Sequence, residues 1–521
     1  MSAAVAGGAA GTPPTATHPV VLHKGLITVS IMLATIMQVL DTTIANVALP
    51  SMQGSLGAAQ DQINWVLTSY IVAAAIMTPV TGWLSDRMGL RELFIASVAG
   101  FVATSMLCGM ATSLVEMVTF RTLQGICGAA LVPLSQTVLL NINTREEHGR
   151  AMAIWGAGIM VGPIIGPTLG GWLTETFDWR FVFYVNLPVG ILALAGLILF
   201  LPRSPRRERS FDFFGFAMLS IAIGALQMML DRGEQVEWFS SVETWIYLWL
   251  TISGAWAFVW HITGREHAFM DPHLFRDSNF VMALVMIFMV GVILLAGLAL
   301  MPPMLQNIFG YPVVTTGMVL APRGVGTMIS MIVVGRLVGK VDARLLILTG
   351  LVLTAISLWQ MSQFSLNMDA RPIIVSGVVQ GLGLGLVFVP LSTTAFATLD
   401  VKYRADAAAL FSLVRNIGSS IGISAVSVML AHNIIIARGD ITSALTPFNP
   451  NVDQMSALGL DPATTTAILN STVQTQASFI AYVDDFRLMM YVTIVAIPLV
   501  LLLRKPKGAA PAGEAASAAM E

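Results

Sequence analysis

The chain has little charge: Asp, Glu, Lys and Arg make up 11% of its 521 residues, while 56% are hydrophobic. An ordinary globular domain has about 25% charged residues, so this composition excludes a soluble protein. The formal net charge is −2. A balance so close to zero creates no strong field of one sign, and we therefore expect no nucleic-acid partner.

Cysteines and motifs of catalysis are equally scarce. The two cysteines, Cys108 and Cys127, lie in long apolar runs, which excludes a secreted disulfide framework and suggests packing residues. His261, His267 and His273 are six residues apart, which is not metal-ligand spacing, and we interpret them as solvated interfacial side chains. No GxxxxGK[ST] segment is present, so direct nucleotide-driven pumping is not expected. Without a nucleophile and base or a metal cluster, a membrane-embedded enzyme is a weak alternative, and we expect no cofactor.

What the sequence has in abundance is apolar runs of membrane length. A helix crosses the bilayer core with about 20 apolar residues. Fourteen such runs predict an all-α integral membrane protein. They cover residues 26–49, 64–84, 92–111, 114–140, 150–173, 180–201, 213–231, 243–263, 279–301, 313–337, 344–363, 372–396, 405–432 and 486–503.

The distribution of basic residues predicts the orientation of these spans. The first apolar run is longer than a signal-peptide core and is interpreted as a retained span. Of the 27 Lys and Arg residues, nineteen lie on one side, five on the other and three within spans. Because cytoplasmic segments are enriched in Lys and Arg, both termini are predicted to be cytoplasmic.

Two segments of the first half recur in the second. GWLSDRMGLR from Gly82 resembles GRLVGKVDAR from Gly335, and QGICGAALVPLS from Gln124 resembles QGLGLGLVFVPLS from Gln380, at offsets of 253 and 256. The repeat predicts two six-helix bundles with two inserted helices, a plan that several transporters use. The predicted parts are a tail at 1–25, a bundle at 26–202, the inserted pair at 203–276, a bundle at 277–503 with an outer loop at 433–485, and a tail at 504–521.

The first span carries the most informative polar residue, Asp41, in LDTTIANVALP. A carboxylate in a membrane helix costs several kcal/mol unless it is paired or hydrated, so it is a candidate for proton handling. It is the only acid that we place deep in a span. Arg121 in span four lies at a matched depth, about 10 Å against about 12 Å, and could pair with Asp41. Helical steps place further polar residues beside Asp41, namely Thr35, Gln38, Thr42 and Asn46. The alternatives are polar contacts that only hold helices together, and a permanent ion pair.

Two glycine-rich segments are candidates for conformational roles. Span five contains four glycines at four-residue steps, which allow close helix approach, and two prolines that could mark a hinge; packing without motion is the alternative. These residues are Gly158, Gly162, Pro163, Gly166, Pro167, Gly170 and, next to them, Gly171. The short loop after span two could be a cytoplasmic latch, or only a positive anchor. Its residues are Gly82, Asp86, Arg87, Gly89 and Arg91.

Two further arginines, Arg323 and Arg415, are predicted to lie about 15 Å inside spans ten and thirteen. With Asp41 as the one deep acid, they could receive the anionic group of a substrate. They could instead bond to backbone carbonyls.

Together these motifs resemble the fourteen-span drug:proton antiporter branch of the major facilitator superfamily, the EmrB/QacA-like exporters. The resemblance covers residues 26–503. GWLSDRMGLR is similar to the loop motif of the superfamily, Arg121, Gln124 and Gly125 to the span-four motif, and 158–171 to the antiporter motif. LDTTIANVALP is similar to the first-span motif of this branch, and WRFVFYVNLPVG and LDRGEQVEWF are also similar to segments of it. Leu90 stands where an Arg is usual, and Gly339 replaces Asp86 in the second loop, so the latch could be one-sided.

The resemblance implies a major facilitator fold in the bacterial inner membrane and proton-coupled export of amphiphilic compounds, with lipid as a further partner. Asp41 and Arg121 would couple export to proton entry, and Gln124 would join Gln38, Thr42 and Asn46 in the substrate cavity. Some relatives deliver substrate to a periplasmic adaptor and an outer-membrane duct, and loop 433–485 is a possible docking surface or an unattached lid. A proton-independent facilitator, a symporter and an exporter of one dedicated metabolite remain as alternatives.

Overall fold

The computed structural model describes residues 23–59, 62–208, 210–263, 270–445 and 462–503, except for the side chains at 294–296, 298 and 462. Nearly all of this part is helical, and its β pairing is one isolated bridge between Val338 and Val341. The prediction of an all-α protein is therefore confirmed. The predicted tails lie almost entirely outside the described residues, as does His267.

Twelve helices in the described part are long and apolar enough to cross a bilayer. A thirteenth span would come from the pair Trp65–Met77 and Val80–Met88, which is bent by 60°. Ser278–Ile293 is a shorter apolar stretch within a helix that continues to Asn307. The chain is therefore a multi-pass membrane protein, while the count of fourteen spans stays a prediction.

Several spans of the first half are broken into two helices. Pro79 lies at the break between α2 and α3, and Pro163 follows the break at Met160 between α7 and α8; a proline lacks the N–H that would continue the helix. The helices are α1 (Lys24–Leu56), α2 (Trp65–Met77), α3 (Val80–Met88), α4 (Leu90–Met110), α5 (Leu114–Gly128), α6 (Leu131–Ile142), α7 (His148–Ile159), α8 (Val161–Thr176), α9 (Phe181–Tyr184) and α10 (Asn186–Phe200).

The inserted pair consists of α11 (Phe213–Arg232) and α12 (Val242–Thr263). Helix α11 packs against α12, against α2 of the first half and against α17 of the second half. Helix α12 exposes a row of tryptophans on its outer face, Trp245, Trp249, Trp256 and Trp260. In a bilayer this apolar face meets lipid, so α11 is the member of the pair that contacts the rest of the protein.

In its described residues, the second half contains six α-helices. They are α13 (Ser278–Asn307), α14 (Val313–Leu337), α15 (Ala343–Met361), α16 (Ala370–Ala397), α17 (Arg404–Ala444) and α18 (Pro462–Ala496). Helix α17 has 41 residues, about 60 Å of helix against a bilayer core of about 30 Å. The interval 433–485, expected to be a loop, is therefore helical up to Ala444 and again from Pro462; residues 446–461 between them are outside the described part.

A buried carboxylate and guanidinium in the first half

Asp41 on α1 and Arg121 on α5 form an ion pair inside the first bundle. Nη1 of Arg121 donates to Oδ2 of Asp41 at 2.7 Å. The two side chains are 1% and 0% exposed. The pair that we expected from matched depth is thus in contact, and it has almost no access to solvent in this conformation.

Two amides complete the shell of the carboxylate. Gln124 donates from Nε2 to Oδ1 of Asp41 at 3.0 Å, and its Oε1 accepts from Nη1 of Arg121 at 2.7 Å. Asn186, the first residue of α10, donates from Nδ2 to the same Oδ1 at 2.8 Å. Asn186 also donates to the hydroxyl of Ser105 at 2.9 Å. Asp41 therefore accepts three hydrogen bonds, from Arg121, Gln124 and Asn186.

Asn186 is a site residue that the sequence patterns did not predict. It belongs to WRFVFYVNLPVG, a segment that contributes only to the family resemblance. The only signal in the sequence is an amide side chain at the start of the apolar run NLPVGILALAGLILF.

Backbone and aromatic groups hold the guanidinium of Arg121. Its Nε donates to the carbonyl of Val66 at 3.1 Å. Its Cζ lies 4.4 Å from the ring centroid of Tyr70 and 5.7 Å from that of Phe183, so both rings contribute cation–π attraction. Gln38 reaches this group indirectly, because its Nε2 lies 3.5 Å from the hydroxyl of Tyr70.

The other polar residues predicted to lie beside Asp41, namely Thr35, Thr42 and Asn46, make no observed hydrogen bond to its carboxylate. Thr42 is half-buried and donates to the carbonyl of Val39 in its own helix at 2.8 Å. Thr35 does the same with the carbonyl of Ile31. Asn46 is exposed.

The glycine-rich face of α8 packs against the part of α1 that carries Asp41. A Cβ atom at Gly162 would lie 2.7 Å from Cγ1 of Val39, and one at Gly170 would lie 3.2 Å from Cγ2 of Ile44. Similar close approaches involve Gly158, with Met32, and Gly166, with Thr43. On the other side, Gly171 and Pro167 lie near Val313 and Gly317 of α14. Helix α8 thus connects the site to the second half.

The loop motif lies where the two halves meet at the predicted cytoplasmic end. Gly82 packs so closely on Asp406, in the first turn of α17, that any larger residue would overlap it. Nearby, Nη1 of Arg404 donates to the carbonyl of Leu140 at 2.8 Å. The other motif residues contact the first half and the linker before α11. Cζ of Arg87 lies 5.7 Å from the ring centroid of Trp83, and Arg91 donates to the carbonyl of Ile198. The carbonyl of Asp86 accepts from the N–H of Arg207 in the linker, and Gly89 adopts a φ of 95° between α3 and α4.

The second half has a different arrangement at the positions that repeat this site. Gly377 stands where the repeat offset of 256 places the equivalent of Arg121. Cβ of Arg323 lies 3.4 Å from where a Cβ of Gly377 would be, and Gln380, the equivalent of Gln124, is also buried. Arg323 is buried on α14, and Arg415 is half-buried on α17. Neither of them belongs to the Asp41 cluster.

Two expectations about titratable residues were wrong. Asp41 is not the only buried acid in a helix of membrane length: Asp485 on α18 is fully buried, with Nδ2 of Asn433 3.4 Å from its Oδ1. Asp485 lies one residue before the predicted span 486–503. His261 is also not solvated, because it is buried and its Nε2 lies 2.9 Å from Oδ1 of Asp212. In the described part, no group of three or more His, Cys, Asp and Glu residues could hold a metal ion.

Comparison with known proteins agrees with this architecture. A model of the Major Facilitator Superfamily matches residues 31–423. The multidrug export protein EmrB of Escherichia coli K12 is 33% identical over 496 residues, 94% of this chain and 97% of EmrB. The fatty acid resistance protein FarB of Neisseria gonorrhoeae is 33% identical over 488 residues, covering 92% and 96%.

Among solved structures, the human organic anion transporter MFSD10 matches with a TM-score of 0.57 at 14% identity, over 90% of this chain and 99% of that one. This likeness concerns the fold alone. The family match and the near full-length similarity to EmrB show that the chain belongs to the major facilitator superfamily, as an EmrB-like membrane transporter and not an enzyme.

Proposed function

We propose that this transporter exports amphiphilic small molecules across the bacterial inner membrane in exchange for protons, by alternating access, with both termini in the cytoplasm. Two relatives that match almost over their full lengths support export. One is named for multidrug export and the other for fatty acid resistance. A fatty acid is amphiphilic, which fits the substrate class that we propose.

The observation that carries proton coupling is the buried pair of Asp41 and Arg121 with its amide shell. The carboxylate accepts from Arg121, Gln124 and Asn186. A proton on Asp41 would remove the charge that holds the guanidinium, and a buried Arg without an anion is unstable by several kcal/mol. The side chains would then rearrange, so proton binding would favour a different packing of α1, α5 and α10.

Helix packing provides a route from this pair to the rest of the protein. The glycine face of α8 lies against α1 at Val39 and Ile44, and the far side of α8 contacts α14. A shift of α1 would therefore be transmitted across the contact between the two halves. In our proposal Gly158, Gly162, Gly166 and Gly170 permit this sliding, and the break before Pro163 permits a bend.

The loop motif would close the cytoplasmic side. Gly82 on Asp406 and Arg404 on Leu140 join the halves at that end, so both contacts must separate for substrate to enter. Asp86, Arg87, Gly89 and Arg91 would support the loop from the first half.

For the substrate cavity we propose Gln38, Thr42, Asn46 and Gln124 in the first half, with Arg323 and Arg415 in the second. The two guanidinium groups favour anionic or neutral amphiphiles over organic cations, because Arg pairs well with carboxylates and phenolates. Beyond the membrane, the end of α17 after residue 432 and the beginning of α18 up to residue 485 offer a helical surface. We propose that a periplasmic adaptor could dock there and lead to an outer-membrane duct.

Transport by purified protein in liposomes tests the proposal. A pH gradient is imposed so that protons flow through the protein in the direction opposite to export. It should drive a fluorescent lipophilic substrate uphill, that is, against the concentration gradient of the substrate. Collapse of the gradient with a proton/cation exchanger should stop it, and Asp41→Asn should show no uphill movement. Equal rates with and without the gradient would support the proton-independent facilitator instead.

A further inference from the structure

The segment LDRGEQVEWF, residues 230–239, forms the end of α11 and the turn into α12, and proton coupling at Asp41 gives it no role. Several of its residues make specific contacts. Gly233 lies under the ring of Trp238, so a Cβ there would be 2.8 Å from ring atoms. Glu237 and Trp238 adopt positive φ values of 56° and 51°, a conformation that costs energy in residues with side chains. The turn is therefore built to hold a defined shape.

Contacts at both ends join α11 and α12, an ion pair at one end and a His–Asp contact at the other. At this turn, Nε of Arg232 lies 2.8 Å from Oε1 of Glu243 on α12. At the opposite end, the buried pair of Asp212 and His261 joins the same two helices. The pair of helices is thus expected to move as a unit.

This unit is attached to both halves of the transporter near residue 231. Toward the second half, Ser420 of α17 donates to Oε1 of Gln227 at 3.0 Å, and Ser424 donates to the carbonyl of Leu230 at 3.3 Å. Toward the first half, Cζ of Arg232 lies 5.5 Å from the ring centroid of Trp65. Thr68, one turn further along α2, faces the carboxyl of Asp231.

Asp231 lies at the centre of these contacts and is mostly surrounded by neutral groups. Its Oδ1 accepts from Nε2 of Gln227 at 2.9 Å, while its Oδ2 is buried without a hydrogen-bond partner among the described residues. The neighbouring Arg232 is directed to Glu243 and Trp65. Helix α2 presents no charged side chain between Trp65 and Met77.

The charged and titratable groups of α17 are remote from this contact. Arg415 precedes Ser420 by five residues, and His432 follows Ser424 by eight, which places them about 7.5 Å and 12 Å away along the helix axis. A buried carboxylate without a nearby cation is unstable, whereas the neutral acid can remain in such a place.

We propose that Asp231 is a second proton-binding site, separate from Asp41, and that its proton keeps the α11–α12 unit attached to both halves at once. With the proton bound, the neutral carboxyl stays between α2 and α17. When the proton leaves, the carboxylate requires water, and α11 separates from α2 at Thr68 while Gln227 and Ser420 still hold it to α17. The end of the transporter that contains Asp231 then opens.

The distance between the two halves near Asp231 tests this proposal without any substrate or gradient. In full-length protein with Cys108→Ala and Cys127→Ala, spin labels at Asn64→Cys and His432→Cys report the separation of α2 and α17 in lipid nanodiscs across a pH series. Both label positions are exposed. The measurement is made with Asp41 intact and with Asp41→Asn, so that protons bound at Asp41 are accounted for.

In both backgrounds we expect the short distance at low pH, with a single transition to a longer distance as pH rises. Asp231→Asn, an uncharged isostere, should keep the short distance at every pH. Thr68→Val removes a hydroxyl that faces the carboxyl only while α11 is attached to α2, so it should move the transition to lower pH by roughly half a unit or more. If Asp231→Asn shows the same pH-dependent change in distance as the parent protein, the proposal is overturned. If Asp231→Asn does not fold, a transition in Thr68→Val at the same pH as in the parent protein overturns it instead. Because transport is not measured, this result is independent of whether the protein exports drugs.

Discussion

The replacement of Asp41 by Asn separates the charge of this side chain from its shape. The amide has the same size and its oxygen can still accept a hydrogen bond, but it carries no charge to balance Arg121, which is 0% exposed. A hydrogen bond to a charged group contributes about 1.5–3 kcal/mol, and loss of one partner of a buried ion pair costs about 3–5 kcal/mol. We therefore expect Asp41→Asn to lower the free energy of unfolding by about 3 kcal/mol and to abolish uphill export.

The matched control is a double replacement, Asp41→Asn with Arg121→Gln, which leaves no unbalanced charge. Gln can still hydrogen-bond to Gln124, which now contacts Arg121 at 2.7 Å. The double variant should recover most of the lost stability, with a coupling energy of about 2–3 kcal/mol between the two positions. Uphill export should remain absent, because neither residue can bind and release a proton.

Two measurements on the same preparations decide this: unfolding in lipid for the four members of the cycle, and uphill transport under an imposed pH gradient. If the double variant recovers both stability and uphill export, Asp41 and Arg121 form a purely structural pair, and the coupling role is refuted. If each single variant is as stable as the wild type, the buried pair does not exist as described.

Three further predictions concern topology, gating and substrate choice. In intact cells a membrane-impermeant label should react with a cysteine at position 456 and not with one at position 517, because both termini are predicted to be inside; the reverse pattern would contradict the topology. Gly82→Leu should block closure of the cytoplasmic side and reduce export at least tenfold without preventing insertion, whereas Gly25→Leu, at a glycine with open space around it, should have little effect. Arg323→Gln or Arg415→Gln should reduce protection against an acidic lipophile more than against a lipophilic cation, as measured by growth inhibition; equal loss for both would exclude a role in charge selection.

The sequence alone was sufficient for the class of protein and for part of the site. Apolar runs near membrane length predicted the helices, since crossing a bilayer depends on local composition that a window of about 20 residues contains. Asp41 and Arg121 were found for a related reason. A charge within such a run is costly, so its presence indicates function before any contact is known.

What only the tertiary structure decided is which distant side chains surround those charges. Asn186 is 145 positions from Asp41, and its amide became part of the site only when α10 packed against α1. The same applies to His261, which looks like an interfacial residue until α11 places Asp212 beside it. Asp231 lies at a predicted span end in the sequence, but between two halves in the fold. Hydrophobicity determines that a helix enters the membrane, whereas the packing of helices against each other determines which of its polar residues are buried and what they contact.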